Sequence, residues 1–328
     1  MTGALPRVVL TRPVPPGAFS RLCEKTAPEV WMEPTTIPPA ELRRRAADAV
    51  GLLVVSGERV DEELLAAAPE LRVVSTMSVG YDHVDVSALT ARGLPLGNTP
   101  GVLTEATADL AFALLLAVAR RLVEARDAVL TGRWGGWDPE FLLGRELAGS
   151  TLGIVGLGRI GAAVARRALA FGMEVLASTT RTPELEGIEV VELPSLLERS
   201  EFVSLHVALT PATRHLIGAR ELATMRRDAI LINTARGGVV DQVALAAALR
   251  DGTIAAAGLD VAEVEPVPPG DELLCLDNCL VLPHVGSATR ATREKMAELA
   301  VANLIAGVNG EPLLHCVNAA ELGAPRPA

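Results

Sequence analysis

Gly156-Leu157-Gly158-Arg159-Ile160-Gly161 constrains the fold more than any other six residues of the chain. The segment follows an apolar, β-branched run, Thr151 to Val155, and opens a helical pattern that closes near Gly172. A G-x-G-x-x-G turn set between a strand and a helix is the fingerprint of a βαβ unit that holds a pyrophosphate. Gly156 permits the tight turn, Gly158 lets the backbone approach the phosphates, and Gly161 allows close helix packing. The helix N-terminus adds unpaired N–H groups and a positive dipole. The motif predicts a dinucleotide site on a parallel sheet.

The flanking sequence extends this reading. Strands are predicted at residues 151–155, 174–178, 202–205, 229–233, 256–259 and 280–282, with helices between them, which makes a doubly wound sheet of six strands. The N-terminal third repeats the rhythm with strands at 8–10, 52–55 and 73–76 and helices at 39–49 and 61–68. Asn98-Thr99-Pro100-Gly101 concentrates turn chemistry before Thr104, read as an N-cap, opens one long helix to about Leu130. Residues 133–146 have no clean period and carry two tryptophans, so they read as an arm. The last periodic helix, 290–306, has no strand after it and is expected to return to the first domain. The final segment, Ala324 to Ala328, is expected to be disordered.

Composition agrees with a buried parallel sheet. The 328 residues are 49% apolar but only 3% aromatic, so the core is built from Ala, Val, Leu and Ile. A net charge of −10 repels polyanions, and no basic stripe offsets it, which argues against a nucleic-acid partner. The opening MTGALPRVVL reads as entry to a strand and not as a secretory signal, so a cytoplasmic protein is expected. Leu110 to Ala119 is about half the ~20 residues that span a bilayer, which argues against a membrane anchor. Cys23, Cys275, Cys279 and Cys316 lack metal-finger spacing, Cys275-x-x-x-Cys279 included, and no metal is expected.

The loop after the second strand of the βαβ unit bears on cofactor choice. Glu174 lies 18 residues after Gly156 but at the wrong end of its strand to reach a ribose. The C-terminal end reads Ser178-Thr179-Thr180-Arg181, with no carboxylate for a 2′-hydroxyl. Hydroxyls and a guanidinium suit a 2′-phosphate, and NADPH is preferred over NADH. The alternative makes Arg181 an ordinary surface charge and NADH the cofactor.

Three separated residues match the chemistry of 2-oxo acid reduction, which needs a cation, a proton donor and a group that keeps the donor protonated. Arg236, in Asn233-Thr234-Ala235-Arg236-Gly237-Gly238, follows a buried strand, where ligand sites gather. Glu265 and His284 end the next two strand–loop units, and a carboxylate beside an imidazole favours the imidazolium. Taken singly, each has a plainer reading as a surface charge, part of an acidic loop with Glu263, or a satisfied loop histidine. His83, His215 and His315 are read the plain way, and His206 alone, at a strand end, is a candidate for cofactor contact.

Taken together, GLGRIG, LLINTARGGVVDQ, GLDVAEVEP and LPHVGSAT resemble the D-isomer-specific 2-hydroxyacid dehydrogenases in order and approximate spacing. STMSVGYDHVD, the TEATADLAFALLLAVARR helix and WGGWDP are similar to the glyoxylate/hydroxypyruvate reductases of that family. The resemblance implies an α/β enzyme in which a Rossmann domain, 101–290, is inserted into a flavodoxin-like substrate domain, 1–100 and 291–328, with an active site in the cleft between them. It implies that Arg236 binds substrate, Glu265 pairs with His284 and His284 donates the proton. Substrate contacts are implied at Val79, Gly80 and Ser287, and at Trp137 on an arm at about 120–146 that reaches the partner of a homodimer. Simple interface packing remains open for Trp134. Cofactor contacts are implied at Thr107, Thr213, Thr234, Ala235, Asp260 and Gly286, besides 156–161 and 178–181.

Two departures stand out. Ala208 replaces a common Pro and Thr180 a common Gly, the latter within the 2′-phosphate loop. The alternatives are an NAD-linked dehydrogenase for another acid, such as 2-ketogluconate or a branched acid, and a dinucleotide-sensing corepressor-like protein.

Overall fold

The computed structural model describes residues 4–323, so the segment from Ala324 to Ala328 lies outside the described residues. Two compact units form, one from residues 4–103 and 288–323, the other from Thr104–Ser287. The divisions lie at Leu103/Thr104 and Ser287/Ala288, against the 100/101 and 290/291 read from the sequence.

The first unit runs β1 (Arg7–Leu10), α1 (Pro16–Cys23), β2 (Ala27–Val30), α2 (Pro39–Ala46), β3 (Gly51–Val54), α3 (Glu62–Ala67), β4 (Val73–Thr76), α4 (Val86–Ala91) and β5 (Leu96–Gly97). Its five strands are all parallel in the order β2-β1-β3-β4-β5. Two of them are absent from the sequence reading. β2 contains Pro28 at the sheet edge, where a missing N–H costs nothing, and β5 spans only two residues. α3 is set by Asp61, whose carboxylate accepts from Leu64 N at 3.0 Å.

The second unit runs α5 (Thr104–Ala119), α6 (Leu122–Leu130), β6 (Thr151–Val155), α7 (Arg159–Ala170), β7 (Glu174–Ser178), β8 (Ile188–Val190), α8 (Leu193–Arg199), β9 (Phe202–Leu205), α9 (Ala219–Thr224), β10 (Ile230–Asn233), α10 (Gln242–Arg250), β11 (Ala256–Leu259) and β12 (Cys279–Val281). α11 (Arg290–Val308) then belongs to the first unit. Its Met296, Ala297, Ala300, Val301 and Leu304 pack into one core with Val8, Leu10, Leu53 and Val73.

The parallel sheet of the second unit has the order β12-β11-β10-β9-β6-β7-β8. The expected six strands become seven because β8, with the exposure pattern of an edge, has no apolar period to betray it. The strand order reverses at β6, which pairs with β7 on one side and β9 on the other, and ligands bind beyond the carboxyl ends at such a point.

The single helix expected from Thr104 to Leu130 is two helices, and Thr104 is its first residue, not the residue before it. Arg121 takes a left-handed backbone, φ +53°. In an unbroken helix the Ala119 carbonyl would accept from the amide four residues on. Here it accepts from Arg145 N at 2.8 Å instead, and a Cβ on Gly144 would lie 2.4 Å from the same oxygen. The returning arm ends the helix.

Candidate active site

The glycine turn sits where the sheet reverses. Gly156 has φ +94°, and a Cβ there would lie 2.9 Å from the His206 backbone, so the turn demands glycine. Gly161 packs under the turn, its imagined Cβ only 2.1 Å from the Gly156 carbonyl oxygen. Gly158 is different: nothing lies within 4 Å of a Cβ built on it. Gly158 precedes α7, whose amide end at Arg159 and Ile160 it leaves uncovered, with Leu157 buried behind the turn. That open space before a twelve-residue helix is the shape that admits a phosphate.

Ser178 closes β7, and its carbonyl accepts from Gly156 N at 2.9 Å, which joins the loop after β7 to the glycine turn. Thr179 Oγ1 accepts from Arg181 N at 3.1 Å, and Thr180 and Arg181 are exposed. Across the turn, His206 N donates to the Val155 carbonyl at 2.8 Å, and its ring Nε2 meets Ser204 Oγ at 2.8 Å. Burial pushes the His206 pKa down to about 4, so the ring is neutral at physiological pH. Thr213 folds the following loop by donating to the Ala208 carbonyl and accepting from Thr210 N.

The β10 end is shaped by Asn233, which the sequence reading did not single out. Its Oδ1 accepts from Ala235 N at 3.0 Å and its Nδ2 donates to the Arg236 carbonyl at 2.9 Å, closing the turn that presents Arg236. Thr234 is buried, and its Oγ1 has no hydrogen-bond partner in the protein. A buried, unanswered hydroxyl just beyond the carboxyl end of a strand is what a cofactor's polar group would satisfy. With the open cradle over Gly158, it shows that the residues present fit a dinucleotide.

His284 and Glu265 meet as expected: His284 Nδ1 lies 2.7 Å from Glu265 Oε2. Burial alone would raise the Glu265 pKa. The His284 hydrogen bond and charge, the Ala262 N–H and the Arg236 charge outweigh it and hold the carboxyl below its ordinary range. Ala262 N donates to Glu265 Oε1 at 3.0 Å, so both carboxylate oxygens are fixed. His284 itself has φ +54°, an uncommon backbone for a side-chain-bearing residue.

Asp260 braces the loop that carries His284. Its Oδ1 accepts from Val285 N and its Oδ2 from Gly286 N, each at 2.7 Å. Burial raises the Asp260 pKa against the pull of these two amides. Thr107 of α5 lies against Gly286, its Oγ1 3.5 Å from a Cβ built there, so Thr107, Asp260 and Gly286 cluster. Ser287 closes the same loop at the end of the unit.

In the first unit, Ser78-Val79-Gly80 follows β4 with all three carbonyls tied back. Ser78 O accepts from Thr99 N at 2.9 Å, Val79 O from Asn98 Nδ2 at 2.9 Å, and Gly80 O from Ser78 Oγ at 2.6 Å. The arm is the most exposed apolar segment described, with Trp137 at 89% and Trp134 at 61% exposure. Cys275 is exposed and Cys279 half-buried, both free thiols. Among the described residues no helix is long and apolar enough to cross a membrane.

A Rossmann sheet with a glycine cradle at its reversal point, and a carboxylate–imidazole pair with an arginine on neighbouring strand ends, defines a nicotinamide-dependent oxidoreductase. The sequence pattern of the D-isomer specific 2-hydroxyacid dehydrogenase NAD-binding domain matches residues 112–286, and the chain belongs to that family. It is thus an NAD(P)-dependent enzyme that reduces a 2-oxo acid.

The chain is 49% identical over 318 residues to a glyoxylate reductase of Korarchaeum cryptofilum, covering 95% of this chain and 96% of that one. A solved structure from Thermus thermophilus superposes with a TM-score of 0.90 at 49% identity, covering 95% and 99%. An NADPH-dependent glyoxylate/hydroxypyruvate reductase of Sinorhizobium meliloti, solved with NADP and malonate, gives a TM-score of 0.85 at 36% identity and covers 99% and 100%.

Proposed function

We propose that this protein is an NADPH-preferring reductase of glyoxylate and hydroxypyruvate, forming the D-2-hydroxy acid with His284 as the proton donor. The observation that carries the reading is the 2.7 Å pairing of His284 Nδ1 with Glu265 Oε2 on the strand ends next to Arg236. With Nδ1 committed to the carboxylate, Nε2 is the ring atom left to serve a substrate. A reduced nicotinamide held by the glycine cradle at 156–161 would supply the hydride for the carbonyl carbon. His284 Nε2 delivers a proton to the carbonyl oxygen, and the new C–H and O–H bonds complete the hydroxy acid. Glu265 holds the ring by its Nδ1, which fixes the orientation in which Nε2 faces the substrate.

Arg236 orients the substrate and draws electron density towards the carbonyl oxygen, as a planar guanidinium does for a 2-oxo acid. Val79 and Gly80 take the carboxylate through their backbone amides, and Ser287 stands on the nicotinamide side. On the cofactor, residues 156–161 cradle the pyrophosphate, and Ser178, Thr179, Thr180 and Arg181 hold the 2′-phosphate. Thr107, His206, Thr213, Thr234, Ala235, Asp260 and Gly286 complete the contacts. The NADP-bound relative from Sinorhizobium meliloti supports this preference. The exposed arm joins two copies as a homodimer, with Trp137 reaching the partner's site.

Initial rates with glyoxylate, hydroxypyruvate, pyruvate and 2-ketogluconate, each with NADPH and NADH, test the reading. Fast reduction of the first two with NADPH is expected. Preference for NADH would overturn the cofactor assignment, and rates higher with 2-ketogluconate than with glyoxylate would overturn the substrate.

A further inference from the structure

A second histidine–carboxylate pair stands outside the trio described above. His215 Nε2 lies 2.5 Å from Glu263 Oε1 across 48 residues of sequence. Three backbone segments meet there: 213–217, 236–240 and 262–265. The first two are joined by His215 N donating to the Gly238 carbonyl at 2.8 Å, by Ile217 N donating to Val239 O at 3.1 Å, and by a parallel bridge between Ile217 and Val240. The second and third touch through Gly237, where a Cβ would lie 1.9 Å from the Ala262 carbonyl carbon and 2.4 Å from Glu263 N.

The segment carrying Arg236 is therefore a middle layer, and the His215 side chain reaches past it to the third layer. Its backbone is left-handed, φ +51°, a conformation that a side-chain-bearing residue rarely adopts and keeps only where surroundings impose it. Glu263 is gripped from the other side as well. Its N–H donates to Gln242 Oε1 at 3.0 Å, and Gln242 Nε2 donates to Asp271 Oδ2 at 2.8 Å. Two residues further on stands Glu265.

From this layering we infer that His215 and Glu263 form a clamp that fixes the Arg236 segment against the Glu265 segment, making both positioning residues for the reaction. Neither clamp residue is among those assigned above to substrate or cofactor. It acts by holding Glu265 in register with His284, and so rests on the reading of those two as the proton-donating pair.

The test compares wild type with His215→Ala, His215→Gln, Glu263→Ala and Glu265→Gln. Two signals are followed: NMR titration of the His284 imidazole in isotope-labelled protein, and kcat against pH with glyoxylate and NADPH. Loosening the clamp in His215→Ala or Glu263→Ala moves the His284 titration and the alkaline limb of kcat to lower pH, with a three- to tenfold fall in kcat at pH 7.5. His215→Gln, whose amide still donates to Glu263, stays within twofold of wild type.

Wild-type titration in both alanine variants, alongside a shifted Glu265→Gln, overturns the clamp and leaves the catalytic pair standing. A shift in His215→Ala that glutamine does not restore assigns the effect to lost bulk and also overturns the clamp. An unshifted Glu265→Gln overturns the pair, and the clamp with it. Should His215→Ala fail to fold, Glu263→Ala carries the same comparison from the opposite side.

Discussion

His284 Nδ1 and Glu265 Oε2 lie 2.7 Å apart although each sits in the loop after a different strand, β12 and β11. Neighbouring parallel strands deliver their C-terminal loops to one edge, so a pair 19 residues apart in sequence becomes a hydrogen-bonded unit. Burial alone would raise the Glu265 carboxyl, and the His284 hydrogen bond and charge draw it below its usual range instead. Replacing Glu265 with glutamine removes the charge and keeps the shape. The pH above which kcat for reduction declines is then expected to fall, and kcat at neutral pH to drop about tenfold or more. His284→Ala is expected to lose about 10²- to 10⁴-fold in kcat, the usual worth of a positioned acid, while NADPH still binds. Near-normal turnover in His284→Ala would remove the proton donor from the scheme.

Gly158 and Gly161 differ in what a side chain at each would meet. A Cβ at Gly161 collides with the Gly156 carbonyl at 2.1 Å, whereas one at Gly158 meets nothing within 4 Å. Gly161→Ala must move α7 off the sheet, and overpacking of this kind costs about 1–3 kcal/mol. Gly158→Ala is expected to cost less than about 1 kcal/mol, the scale of an N-cap change, yet raise the Kd for NADPH at least tenfold by filling the phosphate's space. Denaturant unfolding and fluorescence titration of both variants measure the two effects. Equal losses of stability would contradict the geometry.

The buried strands were legible because parallel strands covered on both faces read as short continuous apolar runs, as in β6, β9 and β10. β8 was not, since an edge strand reading Ile-Glu-Val carries no such run. The break after Ala119 is a tertiary event: the α5 sequence continues helically, and only the returning Arg145 amide claims the carbonyl that a longer helix would use. For the same reason the Glu265 and His284 pairing follows from strand order, while His215 and Glu263 lie in loops whose meeting depends on Gly237 having no side chain. Asn233, which forms the Arg236 turn, had one signal available: an Asn at a strand end, where its amide shapes a turn.

Arg181 is exposed at the tip of the loop after β7, with its own N–H donating to Thr179 Oγ1. A solvent-facing guanidinium on a phosphate is worth about 1–2 kcal/mol, or roughly tenfold in affinity. Arg181→Ala is expected to raise KM for NADPH by about that factor and leave KM for NADH within twofold. An equal effect on both cofactors would assign Arg181 to general loop structure.

Val129, Leu130, Trp134, Trp137 and Leu143 are each more than half exposed on α6 and the arm, a concentration of apolar surface that marks an interaction face. Light scattering is expected to give a mass near twice that of one chain. Leu130→Asp with Val129→Asp should yield monomers, whereas Trp137→Ala should keep the dimer and raise KM for the 2-oxo acid. A monomeric wild type would rule out the arm as an interface.

His206 gives the fold a pH dependence of definite sign. Its ring is held neutral by burial, with a pKa of about 4 against 6.5 for the free side chain. The unfolded chain therefore binds a proton that the folded chain refuses, and stability falls as pH drops from above 6.5 towards 4. The full effect is about 3 kcal/mol, developed progressively across that window. Asp260 and Glu58 work in the opposite direction, because burial raises their pKa values and acid favours their folded, protonated forms. The contribution of His206 must accordingly be read as a difference. Urea midpoints of wild type and His206→Gln at pH 7.5 and 5.0 should show wild type losing about 1–2 kcal/mol more than the variant over that interval. Parallel losses in the two proteins would mean that the ring takes up its proton without unfolding.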